Sequence, residues 1–453
     1  MCFTAFLLPL LVAILLPATG SNASVLLPTG GNITSLARRG VESTLFNVST
    51  TSYLIQLAIG TPGQSVKVAI DTGSDELWVD PNCRDRTLEL DQMQECSSDG
   101  TYTPKTSSSS NQNVTTAETN TIHYGKGAVK IVYFRDNIAL SDTGSAAGGS
   151  SVTNAQFGVA SASTELNEGI LGLGFGRGAN LNYSNFIDEL ADQQVTNSRA
   201  FSVALGSADA SNGGVIIFGG VDTKKFTGKL QSNPLLPPQF TGDIHRYYVQ
   251  MNSTQLRDGT TGSTKTYSNG NPNNKPIAVV LDSGSSLSYL PLTMLTAMAA
   301  DFDGVVDVKD GIVVVPCSNR SLNSTLVFNF GSGTISVPAR DFVVPVDSEN
   351  CILGAGPSDP SSGLTALLGD TFMRSAYVVF DQTTKTISLA QYANCGQNPQ
   401  TIPATGAGNF VGECDASAAA SAHNNAAAAV PGHRAGLCAV LVAFAAGIVA
   451  VVL

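Results

Sequence analysis

Charge is scarce in this chain. Lys, Arg, Asp and Glu make up 13% of its 453 residues, and 24 basic residues face 35 acidic ones, for a formal net charge of −11. A nucleic-acid partner wants basic stripes that neutralise phosphates, and this balance argues against one. The same balance suits a protein working in acid, where carboxylates lose charge and self-repulsion falls. Histidine is scarcer still, with four in all, and only His123 and His245 lie in the part that reads as globular. His-Glu-x-x-His is absent and so is Gly-x-Ser-x-Gly, which disfavours a zinc-dependent or serine-dependent hydrolytic site. The run "GLGFGRG", Gly172–Gly178, fails the Gly-x-Gly-x-x-Gly spacing of a dinucleotide loop. No metal and no cofactor are expected.

Long apolar runs occur only at the ends. "FLLPLLVAILLP", Phe6–Pro17, is too short to span a membrane, and small residues follow it at Ala18 and Gly20. It reads as a secretory signal over residues 1–20, although no Lys or Arg precedes it. Residues 21–39 are polar, contain no lysine and end in Arg38-Arg39, a dibasic close to a short pro-segment. At the other end "GLCAVLVAFAAGIVAVVL", Gly436–Leu453, has no basic residue after it. Small residues, a spacer and a terminal apolar tail match a GPI-attachment signal over 426–453, with Asn424 or Asn425 as the attachment residue. A plain C-terminal membrane helix is the alternative.

Setting aside Cys2 and Cys438 in the two end segments leaves Cys83, Cys96, Cys317, Cys351, Cys395 and Cys414. An even number in a secreted chain implies disulfides, though six cysteines allow 15 pairings. Asn-x-Ser/Thr sequons at Asn22, Asn32, Asn47, Asn113, Asn182, Asn252, Asn319 and Asn323 mark expected glycosylated loops, those from Asn47 onward in the mature chain.

Between Val41 and about Asn394, short runs rich in Val, Ile, Tyr and Phe alternate with Gly, Asn, Asp and Ser. "SYLIQLAIG", "SVKVAID", "AVKIVYF", "GVIIFGG" and "AYVVFD" are examples. This predicts an all-β architecture. Helical patterning is confined to "SNFIDELADQQ" (184–194) and "LTMLTAMAADF" (292–302), and residues 107–120 and 257–276 read as inserted loops. From about Gly396 the composition turns to that of a linker.

The informative feature is a repeat. "VAIDTGSDELWV", Val68–Val79, is matched by "VVLDSGSSLSYL", Val279–Leu290. An Asp-Thr-Gly turn after a strand is by itself a common turn signal. Here, however, each copy is followed by an apolar-apolar-Gly element, ending at Gly172 in the first case and Gly369 in the second. Two lobes with the same order of parts imply approximate twofold symmetry, which would bring Asp71 and Asp282 together. Two such carboxylates hold one proton between them, so one can activate a water while the other protonates a carbonyl. Gly73 and Gly284 would let backbone approach the carboxylates. Thr72 and Ser283 would hydrogen-bond across the interface, and Ser74 and Ser285 would bond the outer carboxylate oxygens.

These residues resemble the pepsin-like aspartic endopeptidases, over about Tyr53 to Gln391. "IHYGKG", Ile122–Gly127, is similar to that family's flap hairpin, which implies Tyr124 and Gly125 over the substrate and Trp78 supporting the tyrosine. The resemblance implies a bilobal fold, with an N-terminal lobe at 40–230, a C-terminal lobe at 231–396 and an Ala/Ser/Gly linker at 397–425. It also implies the disulfides Cys83–Cys96 and Cys317–Cys351; the remaining pair, Cys395–Cys414, is expected to join the lobe's end to the linker. The end segments resemble the fungal yapsin-like cell-surface branch. The resemblance thus implies a monomeric, GPI-anchored enzyme at the cell surface, acting on proteins or peptides in acid. The alternative is a catalytically silent pepsin-like cell-wall or binding protein. Three departures stand out: the lysine-free pro-segment, His123 before the flap tyrosine, and Asp75 and Glu76 in the first turn, whose charge would favour basic substrate side chains.

Overall fold

β-Branched and aromatic runs bounded by turn-forming residues become strands throughout the computed structural model. It describes residues 40–48, 52–80, 82–83, 90–114, 119–140, 151–166, 168–208, 214–238, 244–307, 311–346, 350–359, 366–415 and 417. The proposed signal, the pro-segment and the apolar tail with Asn424 and Asn425 lie outside the described residues, as do Asn22 and Asn32.

Among the described residues one 13-stranded sheet carries most of the first half. Across it the strands run Phe226–Pro234, Thr386–Tyr392, Ala376–Asp381, Ala200–Ala204, Gly214–Phe218, Val41–Val48, Ser52–Ile59, Gln64–Asp71, Gly169–Gly172, Leu77–Val79, Ser151–Thr164, Ala128–Leu140 and Thr119–His123. The second half holds a five-stranded sheet, Tyr248–Met251, Ile277–Leu281, Leu367–Leu368, Ser288–Leu290 and Ala355–Pro357, and two four-stranded sheets. The fold is all-β and bilobal.

Both aspartate turns are built the same way. Gln64–Asp71 pairs in parallel with Gly169–Gly172, placing Asp71 beside Gly172, and Leu77–Val79 returns antiparallel to that same strand. In the second half Ile277–Leu281 pairs in parallel with Leu367–Leu368, and Ser288–Leu290 returns antiparallel to it. Each repeated apolar-Gly element is thus the central strand between the two arms of an aspartate turn.

The lobes are not cleanly divided along the chain. Ala376–Asp381 pairs with Ala200–Ala204, with Phe380 opposite Phe201, so the last strands of the expected C-terminal lobe complete a sheet begun by the first. Phe201 and Phe380 stack at 5.0 Å between ring centroids, and Tyr247 meets Phe380 edge-on at 4.6 Å. Burying rings of this size stabilises by about 1.5–3 kcal/mol each. These rings join the strands of the two halves through apolar contact.

The linker expectation is corrected for residues 397–414. Pro399–Thr401 forms a strand against Gly220–Asp222, and Ile402 and Ala407 are buried against Phe226 and Tyr377. Glu413 accepts a hydrogen bond from the Thr223 hydroxyl at 2.6 Å. Apolar residues spaced among Gly and Pro suffice to seat this segment, and composition averaged over a window hides them.

Both expected helices form, as Phe186–Asp192 and Leu292–Asp301. The first starts at a capping box, in which Asn185 accepts from the Asp188 backbone N–H and Asp188 accepts in return. Leu90–Asp99 is a helix that the apolar periodicity did not signal. Residues 257–276, expected as an inserted loop, include the strand Thr264–Thr266, paired with Ser253–Asp258.

Candidate active site

Two turns meet at the lobe interface, bound by four reciprocal hydrogen bonds. Thr72 N donates to Ser283 Oγ at 3.2 Å and Ser283 N donates to Thr72 Oγ1 at 2.9 Å. Thr72 Oγ1 donates to the Leu281 carbonyl at 2.9 Å and Ser283 Oγ donates to the Ile70 carbonyl at 3.0 Å. Each hydroxyl therefore accepts from one turn and donates to the strand that precedes it. Buried bonds of this kind stabilise by about 0.5–1.5 kcal/mol each and cost more when half is removed.

This lattice sets the carboxylates face to face. A Cβ on Gly284 would lie 2.3 Å from Asp71 Oδ1, and one on Gly73 would lie 2.6 Å from both Asp282 oxygens. Only glycine permits so close an approach, and each glycine N–H also donates to the aspartate of its own turn. Gly73 N donates to Asp71 Oδ1 at 2.7 Å, and Gly284 N to Asp282 Oδ1 at 2.9 Å.

The symmetry fails at the serines. Ser74 Oγ donates to Asp71 Oδ2 at 2.5 Å. Ser285 Oγ turns away and donates to the Leu287 carbonyl at 2.9 Å. The expectation that Ser285 holds the outer oxygen of Asp282 is corrected on that ground. Asp71 thus accepts both a backbone and a hydroxyl donor. Asp282 is held well above the usual carboxylate range, first by desolvation and then by the neighbouring Asp71 charge.

The hairpin of Thr119–His123 and Ala128–Leu140 turns through Tyr124–Gly127, closed by Tyr124 N donating to the Gly127 carbonyl at 3.0 Å. Gly125 lies within that turn, and Gly127 adopts φ +83°. Trp78, fully buried, donates from Nε1 to the Tyr124 hydroxyl at 2.8 Å. Burial and then the Asp71 charge push the Tyr124 phenol well above its ordinary value, which puts it within electrostatic reach of the first aspartate. His123, beside it, is exposed.

The extra acids do not leave free negative charge in the cleft. Asp75 is buried and pairs with Arg246 of the other half, Nη1 to Oδ2 3.0 Å. It also accepts from Phe175 N at 2.7 Å and Asn180 Nδ2 at 2.9 Å. Glu76 is buried too, and the Tyr133 hydroxyl donates to its carboxyl. Both residues are buried against partners inside the protein, so neither offers the charge expected to favour basic substrate side chains. Arg246, Asn180 and Tyr133 were missed by sequence reading. An unmatched Asp at the centre of a buried turn was the one available signal.

The remaining site residues fall outside the cleft. The structure joins Cys83 to Cys96, Cys317 to Cys351 and Cys395 to Cys414. Asn113, Asn182 and Asn323 are exposed, while Asn47 and Asn252 are half-buried. Asn319 is corrected as a glycan acceptor: it is buried, and its Nδ2 donates to the Phe302 carbonyl at 2.5 Å.

The model of the family described as "Eukaryotic aspartyl protease" matches residues 52–392. The chain belongs to the eukaryotic aspartyl protease family. Among curated members it is 34% identical over 369 residues to "Probable aspartic-type endopeptidase opsB" of Aspergillus fumigatus, covering 77% of this chain and 70% of that one. It is 35% identical over 360 residues to "Secreted aspartic protease 8" of Candida albicans, covering 78% and 79%. Candidapepsin of Candida tropicalis is 34% identical over 363 residues, covering 78% and 82%. Within the family this aspartyl protease carries both aspartate turns, the hairpin and the supporting tryptophan. No described helix is long and apolar enough to cross a membrane.

Proposed function

We propose that the chain is an acid-acting endopeptidase in which Asp71 and Asp282 share one proton and hydrolyse peptide bonds through an activated water. The observation that carries this reading is the reciprocal Thr72–Ser283 lattice, which fixes two carboxylates against one another. The two donors on Asp71 suit an anion, so Asp71 is the base that takes a proton from water. Asp282, whose neutral form is favoured, gives its proton to the substrate carbonyl oxygen as the water oxygen bonds to the carbonyl carbon. The resulting diol collapses as its C–N bond breaks, and the amine leaves with a proton returned from the pair. The hairpin bearing Tyr124 covers the peptide and excludes solvent.

The secreted relatives support an extracellular setting, and we assign the terminal apolar run to a GPI anchor of the yapsin-like kind. Asp71→Asn or Asp282→Asn, folded and processed, should abolish pepstatin-sensitive peptide hydrolysis at acid pH. Near wild-type turnover in either variant would overturn the dyad. Release of that activity from intact cells by a GPI-cutting phospholipase would support the anchor, and retention would favour a membrane helix.

A further inference from the structure

The segment after the first aspartate grips the hairpin twice. Glu76 and Trp78 are two residues apart on an extended stretch, so their side chains leave on the same face. Trp78 holds the hairpin tip through the Tyr124 hydroxyl. Glu76 holds its arms: the Tyr133 hydroxyl, on the returning arm Ala128–Leu140, lies 2.9 Å from each carboxyl oxygen. Asn120 Nδ2, on the outgoing arm, donates to that same hydroxyl at 3.4 Å. Tyr183 closes the cluster, its ring edge-on to Tyr133 at 5.7 Å.

We propose that Glu76 is a positioning residue for the substrate-covering hairpin, holding it closed while its carboxyl is protonated and releasing it when the carboxyl ionises. The proposal rests on the endopeptidase reading, and its test is chosen to be readable without activity. A carboxylate at this position is sealed from water, and no described cation pairs with it. Arg246 pairs instead with Asp75. The titratable groups facing Glu76 are Asp75 on its own segment, Tyr124 and Tyr133 on the hairpin, and Tyr183. Desolvation, aided by the charge of Asp75 and opposed by the Tyr133 hydrogen bond, pushes the Glu76 carboxyl up to about 7.

With a closed-state value above the hydrated one, closure is fully favoured below about pH 4.5 and that advantage is lost as pH rises through 7. Opening hydrates the carboxylate, so ionisation pulls the hairpin open. A shift from 4.5 to about 7 corresponds to a change in the opening equilibrium of about a hundredfold or more.

The experiment is hydrogen–deuterium exchange on the full chain carrying Asp71→Asn, which prevents self-digestion, at pH 4 and pH 7.5. Protection factors of residues 119–133 should fall by about a hundredfold at the higher pH, while the strands Ala200–Ala204 and Ala376–Asp381 keep theirs. Adding Glu76→Gln, which keeps an acceptor for Tyr133 but cannot ionise, should make hairpin protection independent of pH. In the active chain, Glu76→Gln should raise the ratio of kcat/KM at pH 7 to that at pH 4 at least fivefold. A residue that merely packs would lower both values together and leave the ratio alone. Equal hairpin protection at the two pH values without the Glu76 substitution overturns the proposal. So does a Glu76→Gln chain that follows the original pH dependence. Loss of the endopeptidase reading would leave the exchange result standing, so the two failures are distinguishable.

Discussion

Arg246 Nη1 lies 3.0 Å from Asp75 Oδ2, an ion pair that ties the turn of Asp71 to the segment entering the second half. Both side chains are almost fully buried. Asn180 braces the pair by donating to Asp75 and to the His245 carbonyl and by accepting from His245 N. Arg246→Met should destabilise by about 3–5 kcal/mol, because it leaves the Asp75 carboxylate buried without its cation. Asp75→Asn together with Arg246→Met should recover much of that loss. Urea unfolding of the two single variants and the double variant measures the coupling, and additive losses would refute it.

The Thr72–Ser283 lattice makes a graded prediction. Thr72→Ala strands the buried Ser283 N–H and the Leu281 carbonyl, at a cost of about 1–3 kcal/mol for each unsatisfied group. Turnover should fall with it, because the carboxylates lose their alignment. Thr72→Ser keeps both bonds and should restore most stability and turnover. Thermal unfolding and kcat for both variants decide whether the hydroxyl or the methyl matters.

Stability should peak in acid. Asp282, Asp75, Glu76 and Asp370 are all raised by burial. Each is easier to ionise in the unfolded chain, so each contributes stability that is complete below about pH 4 and is lost as pH rises through its folded value. The Glu76 contribution is lost between 4.5 and about 7. Tm should therefore be higher at pH 4 than at pH 7. On the proposed mechanism, endopeptidase activity should fade toward neutrality as the Asp71–Asp282 pair loses its shared proton. A Tm that rises from pH 4 to pH 7 would contradict this.

Residues 397–414 should behave as part of the folded body. Cys395 and Cys414 close a loop with a sequence separation of 19, and Cys395 N donates to the Lys224 carbonyl at 3.0 Å. Replacing both cysteines by serine should cost about 2–4 kcal/mol by freeing the unfolded chain. Ending the chain at residue 396 should cost more, because Ile402 and Ala407 would no longer cover Phe226 and Tyr377. Denaturant midpoints of the two variants would show whether the segment is structural or a tether.

The sequence by itself determined the outline of the candidate site. A doubled Asp-Thr/Ser-Gly-Ser turn, each followed by apolar-apolar-Gly, carries its meaning in a short local pattern. Asp71, Asp282 and the strands leading to them were legible in those patterns, whereas Tyr124 was legible only through the resemblance of Ile122–Gly127 to a family hairpin. The tertiary structure alone decided the rest, because those choices depend on what a side chain meets across the fold. Ser74 and Ser285 occupy the same place in their motifs, yet one bonds its aspartate and the other a backbone carbonyl. Asp75 and Glu76 read as cleft charge until burial, with Arg246 and Tyr133 as partners, committed them to the interior. Asn319 has the sequon of an exposed loop but is buried against Phe302. Residues 397–414 have a linker's composition, yet a few apolar side chains and one disulfide hold them to the body. A sequence states which groups are present, whereas desolvation and pairing between distant segments set what each group can do.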